Sequence, residues 1–89
     1  MNIEQMTSPR TGNAVPNQFL VTIGDCIYFQ SYTTVIAKKN ECTREVTLCE
    51  DWNYSRTTLK YLNKFLGATK NIKKRIEEGK FKIVETIEL

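Results

Sequence analysis

The hydrophobic pattern changes period once, near residue 50, and this change constrains the fold more than any other feature. Before it, the chain runs through β-branched and aromatic segments cut by short polar breaks. Phe19–Ile23 and Cys26–Tyr32 are separated by Gly24 and Asp25 alone, which predicts a two-residue hairpin of the II′ kind. Thr33–Ala37 either prolongs the second strand or starts the next. Lys38–Glu41 reads as a polar turn, and Arg44–Cys49 alternates polar and apolar as a half-buried strand does. Connections this short predict antiparallel pairing.

After residue 50 the apolar residues recur at helical spacing. Ser55 is placed to cap a helix over 56–66 with Leu59, Leu62, Phe65 and Leu66 as its apolar stripe, and Gly67 is placed to end it. Thr69 is placed to cap a second helix over 70–78 carrying Ile72 and Ile76, which Gly79 ends. Phe81–Ile87 reads as a last strand with Phe81, Ile83 and Ile87 on one face. The predicted class is α+β: an antiparallel sheet of about four strands with two short helices on one face. The expected order is β-β-β-(β)-α-α-β. Residues 1–16 hold both prolines with Ser8, Gly12 and Asn13 and are expected as an irregular arm. Residues 17–89 are expected as the single domain that 89 residues allow.

Composition enters through what it removes. The chain has no histidine, so it lacks the commonest general base and the commonest metal ligand. Its three cysteines form no CxxC pair and are fewer than a Cys-only zinc site needs. No glycine-rich phosphate loop is present. The acids are scattered, with Glu50-Asp51 and Glu77-Glu78 the adjacent pairs, and no thiol has an imidazole to activate it. An enzyme, a cofactor and a metal site are therefore not expected. No apolar window is long enough to span a membrane, and the N-terminus is polar.

Charge is uneven along the chain. The net charge is +3, yet residues 56–82 hold nine basic and two acidic residues, a local +7, while residues 1–50 carry −1. Arg56, Lys60, Lys64, Lys70, Lys73, Lys74 and Arg75 form a candidate basic patch for phosphate or an acidic protein surface, against the alternative of an ordinary solvated helix face. The helix–Gly–helix pattern from Leu62 to Ile76 fails a helix-turn-helix at two packing positions, where Asn63 and Lys73 stand. Ser55-Arg56-Thr57-Thr58 fits either an anion-binding helix start or plain capping with an Arg56 ion pair to Glu50 or Asp51. Asn17, Gln18, Tyr28, Gln30, Tyr32, Trp52 and Tyr54 form a candidate polar-aromatic contact surface, against the alternative of packing and backbone satisfaction.

Three segments taken together carry a resemblance. They are Ser8-Pro9 with Thr11-Gly12 and Asn17-Gln18-Phe19; Tyr28-Phe29-Gln30-Ser31-Tyr32; and Trp52, Tyr54-Ser55, Thr57-Thr58, Lys60-Tyr61 and Phe65-Leu66-Gly67. From about Thr7 to Val84 the chain resembles a family of small uncharacterised proteins encoded by tailed bacteriophages and related mobile elements. The segment from Lys39 to Cys49 and the Arg56 position look like variable parts of that pattern. The resemblance implies a setting, the cytoplasm of an infected bacterium, and no activity. In that setting the expected function is non-enzymatic binding of a host protein or protein–nucleic-acid complex, in its sharpest form inhibition of a defence or nuclease system. The alternative is a small nucleic-acid-binding protein that uses the basic helices. No membrane partner is expected, and a homodimer is left open.

Overall fold

The computed structural model of the chain describes residues 1–8, 10–67 and 71–89. Among the described residues, six strands and two helices follow one another as β1 (Asn2–Thr7), β2 (Ala14–Ile23), β3 (Cys26–Ser31), β4 (Thr34–Asn40), β5 (Val46–Cys49), α1 (Arg56–Phe65), α2 (Ile72–Glu77) and β6 (Phe81–Val84). All six strands form one sheet in chain order, β1 to β6. The first four pairings are antiparallel, as their short connections require. The β5–β6 pairing is parallel, so the chain must cross over the sheet between them. Both helices lie in that crossover.

Cross-strand partners share a face, so the register sorts the side chains. Glu4, Leu20, Phe29, Ala37, Leu48 and Ile83 form one row across all six strands. Helix α1 lies on this face, where the Phe29 and Phe65 rings stack with centroids 5.9 Å apart. Phe29, Ile36, Leu48 and Leu62 are fully buried and form the centre of the core. Ile36 is the extra residue of a β-bulge, since Phe29 pairs with Ala37 while Gln30 pairs with Val35. The opposite face carries the row Ile3, Val21, Tyr28, Lys38, Thr47 and Lys82.

The class is α+β as predicted, but the sheet has six strands rather than about four, and it is mixed rather than antiparallel. Residues 2–7, expected inside an irregular arm, form β1. Their only apolar residues, Ile3 and Met6, do not alternate, so no period-2 signal marks the strand. Its partner is fixed by the turn that follows, where Ser8 N–H donates to the Asn13 carbonyl at 2.9 Å and Gly12 N–H to the Ser8 carbonyl at 2.8 Å. The expected turn at Lys38–Glu41 begins late, because Lys38, Lys39 and Asn40 pair with Tyr28, Ile27 and Cys26 inside the sheet. β6 stops at Val84, and Ile87 is buried beyond the strand's end. Ile83, expected with Phe81 and Ile87 on one apolar face, is 39% exposed.

Other elements form as their residues dictate. Ile23 pairs with Cys26, and Gly24 has a φ of 57° while Asp25 does not, which is the sign pattern of the II′ turn. Ser55 caps α1, its Oγ accepting from Thr58 N–H at 3.1 Å. Gly67 follows α1 at a φ of 80°, a conformation that glycine adopts without a Cβ clash. α2 has six residues, and Asn71 stands at its N-cap position in left-handed backbone without a side-chain capping bond. The expected cap Thr69, and Pro9 of the expected N-terminal arm, lie outside the described residues.

Candidate functional site

The joint between β3 and α1 is built from hydroxyls. Ser31 and Thr58 are both fully buried, and their oxygens lie 2.9 Å apart. Ser55 Oγ donates to Thr58 Oγ1, also at 2.9 Å, so the cap residue and the strand end share one hydroxyl. A buried hydrogen bond of this kind contributes about 1 kcal/mol, and leaving it unmade costs more. The joint ties the end of β3, where the chain turns at Tyr32 into β4, to the start of α1 at Ser55.

Several predicted contact residues gather at that joint. Tyr32 N–H donates to the Asn17 carbonyl at 2.7 Å, and Gln30 Nε2 donates to the Tyr32 carbonyl at 2.9 Å. Asn17 and Tyr32 both hold left-handed backbone, at φ 67° and 57°. That conformation costs a residue such as Tyr on the order of 1–2 kcal/mol, and the two hydrogen bonds offset it. Tyr32 is 48% exposed, and Tyr54, next to the cap Ser55, is 51% exposed. Arg56 is exposed at the first position of α1. Asn17, Gln30, Tyr32, Tyr54 and Arg56 thus belong to one end of the molecule, where strand meets helix.

Other predicted contact residues do not join them. Gln18 pairs with Ser31 on the helix face and is fully buried, so it cannot meet a partner. Its Oε1 and Nε2 have no hydrogen-bond partner among the described residues. Tyr28 is 7% exposed beneath the Lys38 ammonium, which sits 5.8 Å from its ring centre. Trp52 is half-buried and packs against the core. Alternation along β2 and β3 separates Gln18 from Gln30, and spacing in the sequence names no face.

The basic residues divide in the same way. Arg56 and Lys60 are exposed on α1, the Lys60 ammonium lying 5.5 Å from the neighbouring Tyr61 ring. Lys64 is bound internally, its ammonium donating to the Thr7 carbonyl and, at 3.1 Å, to Thr7 Oγ1. Lys73 and Lys74 are exposed on α2, and Arg75 is half-buried. Lys70 lies outside the described residues. The ion pairs among the described residues are Lys80–Glu78 at 3.8 Å and Lys82–Glu45 at 4.0 Å, and Arg56 reaches neither Glu50 nor Asp51. Arg56, Lys60, Lys73, Lys74 and Arg75 therefore lack an intramolecular carboxylate partner among the described residues.

The Ser55–Thr58 segment is spent on structure. Its Ser55 and Thr58 hydroxyls bond each other, the Thr58 amide and Ser31, which is capping. Burial pushes the Cys49 thiol above its ordinary pKa, and the Asp51 and Glu50 carboxylates push the same way against opposing backbone hydrogen bonds. Cys26, Cys42 and Cys49 are free thiols. Among the described residues no three of Cys, Asp and Glu come together as a metal cage. No described helix is long and apolar enough to cross a membrane. Sequence reasoning missed Ser31 and Thr58 as the pair that ties strand to helix, since nothing local marks a contact 27 residues apart.

A family model matches residues 1–82, and its description is "Family of unknown function (DUF8033)". The chain belongs to this DUF8033 family. The match takes in every element from β1 to α2 and the first residues of β6, so the strand–helix joint lies inside the family's domain. No curated protein and no solved structure matches the chain.

Proposed function

We propose that the chain is a non-catalytic binding protein that docks on a host macromolecule during bacteriophage infection, with a host protein or protein–nucleic-acid complex as its partner. The exposed pair Tyr32 and Tyr54 on the hydroxyl-tied joint carries this reading. Trp, Tyr and Arg are enriched among the residues that dominate interface energetics, and Tyr brings a large rigid contact area at low conformational cost. Here two Tyr rings and Arg56 flank a joint whose backbone is already fixed, so little ordering is left for binding to supply. The resemblance to small phage-encoded proteins supports the setting, and inhibition of a defence or nuclease system is its sharpest form.

The test is recovery of a partner from infected cells with tagged protein. Wild type is expected to retain a partner, and Tyr32→Ala with Tyr54→Ala is expected to lose it while keeping the wild-type circular dichroism. A partner held equally well by the double variant would place the contact elsewhere.

The exposed cations of α1 and α2 that no described carboxylate pairs favour a second reading, a small nucleic-acid-binding protein. Labelled DNA and RNA titrated at two salt concentrations separate the two. Tight binding with a steep salt slope, abolished by Lys73→Glu, Lys74→Glu and Arg75→Glu together, supports the second. Absence of binding at low salt removes it.

A further inference from the structure

α2 docks through Ile72, which is buried, and Ile76, which packs against the core. Asn71, Lys74, Arg75 and Glu78 recur at the three- and four-residue spacing of one helix face beside that apolar pair. The helix then closes tightly. Lys80 N–H donates to the Arg75 carbonyl at 2.9 Å and Gly79 N–H to the Ile76 carbonyl at 3.1 Å, with Gly79 at a φ of 76°. This closure folds the chain back, so Lys80 returns beside Arg75. Asn71, Lys74, Arg75, Glu78 and Lys80 line one open cavity of about 260 Å³.

We propose that this cavity binds a phosphate dianion, either free phosphate or the terminal phosphate of a nucleic-acid strand. Charge selects the ligand. Lys74, Arg75 and Lys80 bring three positive charges against the one negative charge of Glu78, which leaves +2. A terminal phosphate carries close to two negative charges near neutral pH, whereas a carboxylate carries one. Arg75 is half-buried, and neither it nor Lys74 makes an ion pair with a described residue. The helix dipole does not account for both, because the carbonyls of Lys74, Arg75 and Ile76 are already taken by the amides of Glu78, Lys80 and Gly79. The Asn71 side chain makes no capping bond, so its amide is free to donate with the guanidinium and the two ammonium groups. Glu78 reaches Lys80 at 3.8 Å, an exposed pair of the kind that holds weakly and yields to a dianion. The wall is almost wholly polar, which rejects an apolar ligand. Its volume is below the roughly 300–1,000 Å³ of pockets that enclose a drug-sized molecule, so it suits a small group.

The site goes beyond the nucleic-acid reading, which needs only exposed cations. It adds Lys80 and Asn71, and it leaves out Lys73, which does not line the cavity. The test titrates inorganic phosphate into the isotope-labelled full chain at fixed ionic strength, followed by backbone amide shifts. Saturable shifts are expected within residues 71–80. Lys80→Gln and Arg75→Gln, each with wild-type circular dichroism, are expected to weaken binding about tenfold, and Lys73→Gln by less than about twofold. Glu78→Gln is expected to tighten it. The chain has no histidine, so no side chain of ordinary pKa titrates between about pH 5.5 and about pH 7.5, and weaker binding at the lower pH reports the phosphate's own second proton. An oligonucleotide with and without a terminal phosphate separates the two sources: preference for the phosphorylated strand assigns the site to a nucleic-acid end, and equal binding assigns it to free phosphate. Absence of saturable shifts, the same shifts with chloride, equal affinity at both pH values, or a loss in Lys73→Gln as large as in Lys80→Gln overturns the site. Phosphate that binds while DNA and RNA do not removes the nucleic-acid reading and keeps the site. Nucleic acid that binds through Lys73 while phosphate does not removes the site and keeps that reading.

Discussion

Gln18 shows how a single side chain can be misplaced by its polarity. It sits one residue from Asn17 and looks like surface, yet it is fully buried with its amide unpaired among the described residues. An unsatisfied buried amide costs about 1–3 kcal/mol, whereas an apolar side chain of similar shape costs little. Gln18→Met is therefore expected to raise stability by about 1 kcal/mol, seen as a higher urea midpoint. A loss of stability would show that the amide is bonded in solution. Cys49 gives a residue-scale pH dependence. Its thiol is raised by burial in the folded state, so the folded chain holds that proton at pH values where the unfolded chain has released it. The stabilisation is complete below the ordinary thiol pKa and is lost as pH rises through the folded one. The melting temperature is expected to fall on the alkaline side of the thiol range, and Cys49→Ala is expected to flatten that part of the curve.

At the scale of elements, α1 is short and depends on its ends. Its first turn has no acidic residue to meet the helix dipole, so the Ser55 cap carries that terminus. Ser55 also donates to Thr58, which in turn meets Ser31. Ser55→Ala is expected to destabilise by about 1–2 kcal/mol, at the upper part of the capping range, because both bonds are lost. Thermal melts of Ser55→Ala and Ser55→Asp measure this, and Asp is expected to restore the cap. Much at this scale was legible from residues. Ser55, Gly67 and the Gly24-Asp25 turn stand where the local pattern placed them. β1 was not legible, since Ile3 and Met6 give no alternation and its pairing depends on β2. Lys38 and Lys39 looked like a turn because polarity, not strand pairing, is what the sequence displays there.

At the scale of the whole molecule, the charge asymmetry is a cost to the fold, and in the proposed nucleic-acid reading it is also the contact surface. Lys73, Lys74 and Arg75 are consecutive, and none makes an ion pair with a described residue. If their role is contact and not architecture, reversing them relieves repulsion within the basic segment. Lys73→Glu, Lys74→Glu and Arg75→Glu together are expected to leave the melting temperature at low salt equal to or above wild type. A marked fall would show that these side chains hold α2 in place. The candidate site follows the same division. Its members were named in the sequence as Asn17, Gln30, Tyr32 and Tyr54, but so were Gln18 and Tyr28, which the fold buries, and Trp52, which packs against the core. Residue type marks what can bind, and only the face a side chain occupies decides whether it can be reached.

The sequence by itself determined the class, the hairpin turn, the capped helix and the concentration of positive charge after residue 55. Those depend on neighbours within a few positions, through hydrophobic period, turn chemistry and capping. Tertiary structure alone decided that β1 joins the sheet, that β5 and β6 lie parallel, and that Ser31 meets Thr58. Each of those brings together residues distant along the chain. Their free energy comes from burying one surface against another and satisfying the polar groups trapped between them, and no local pattern records which surface that will be.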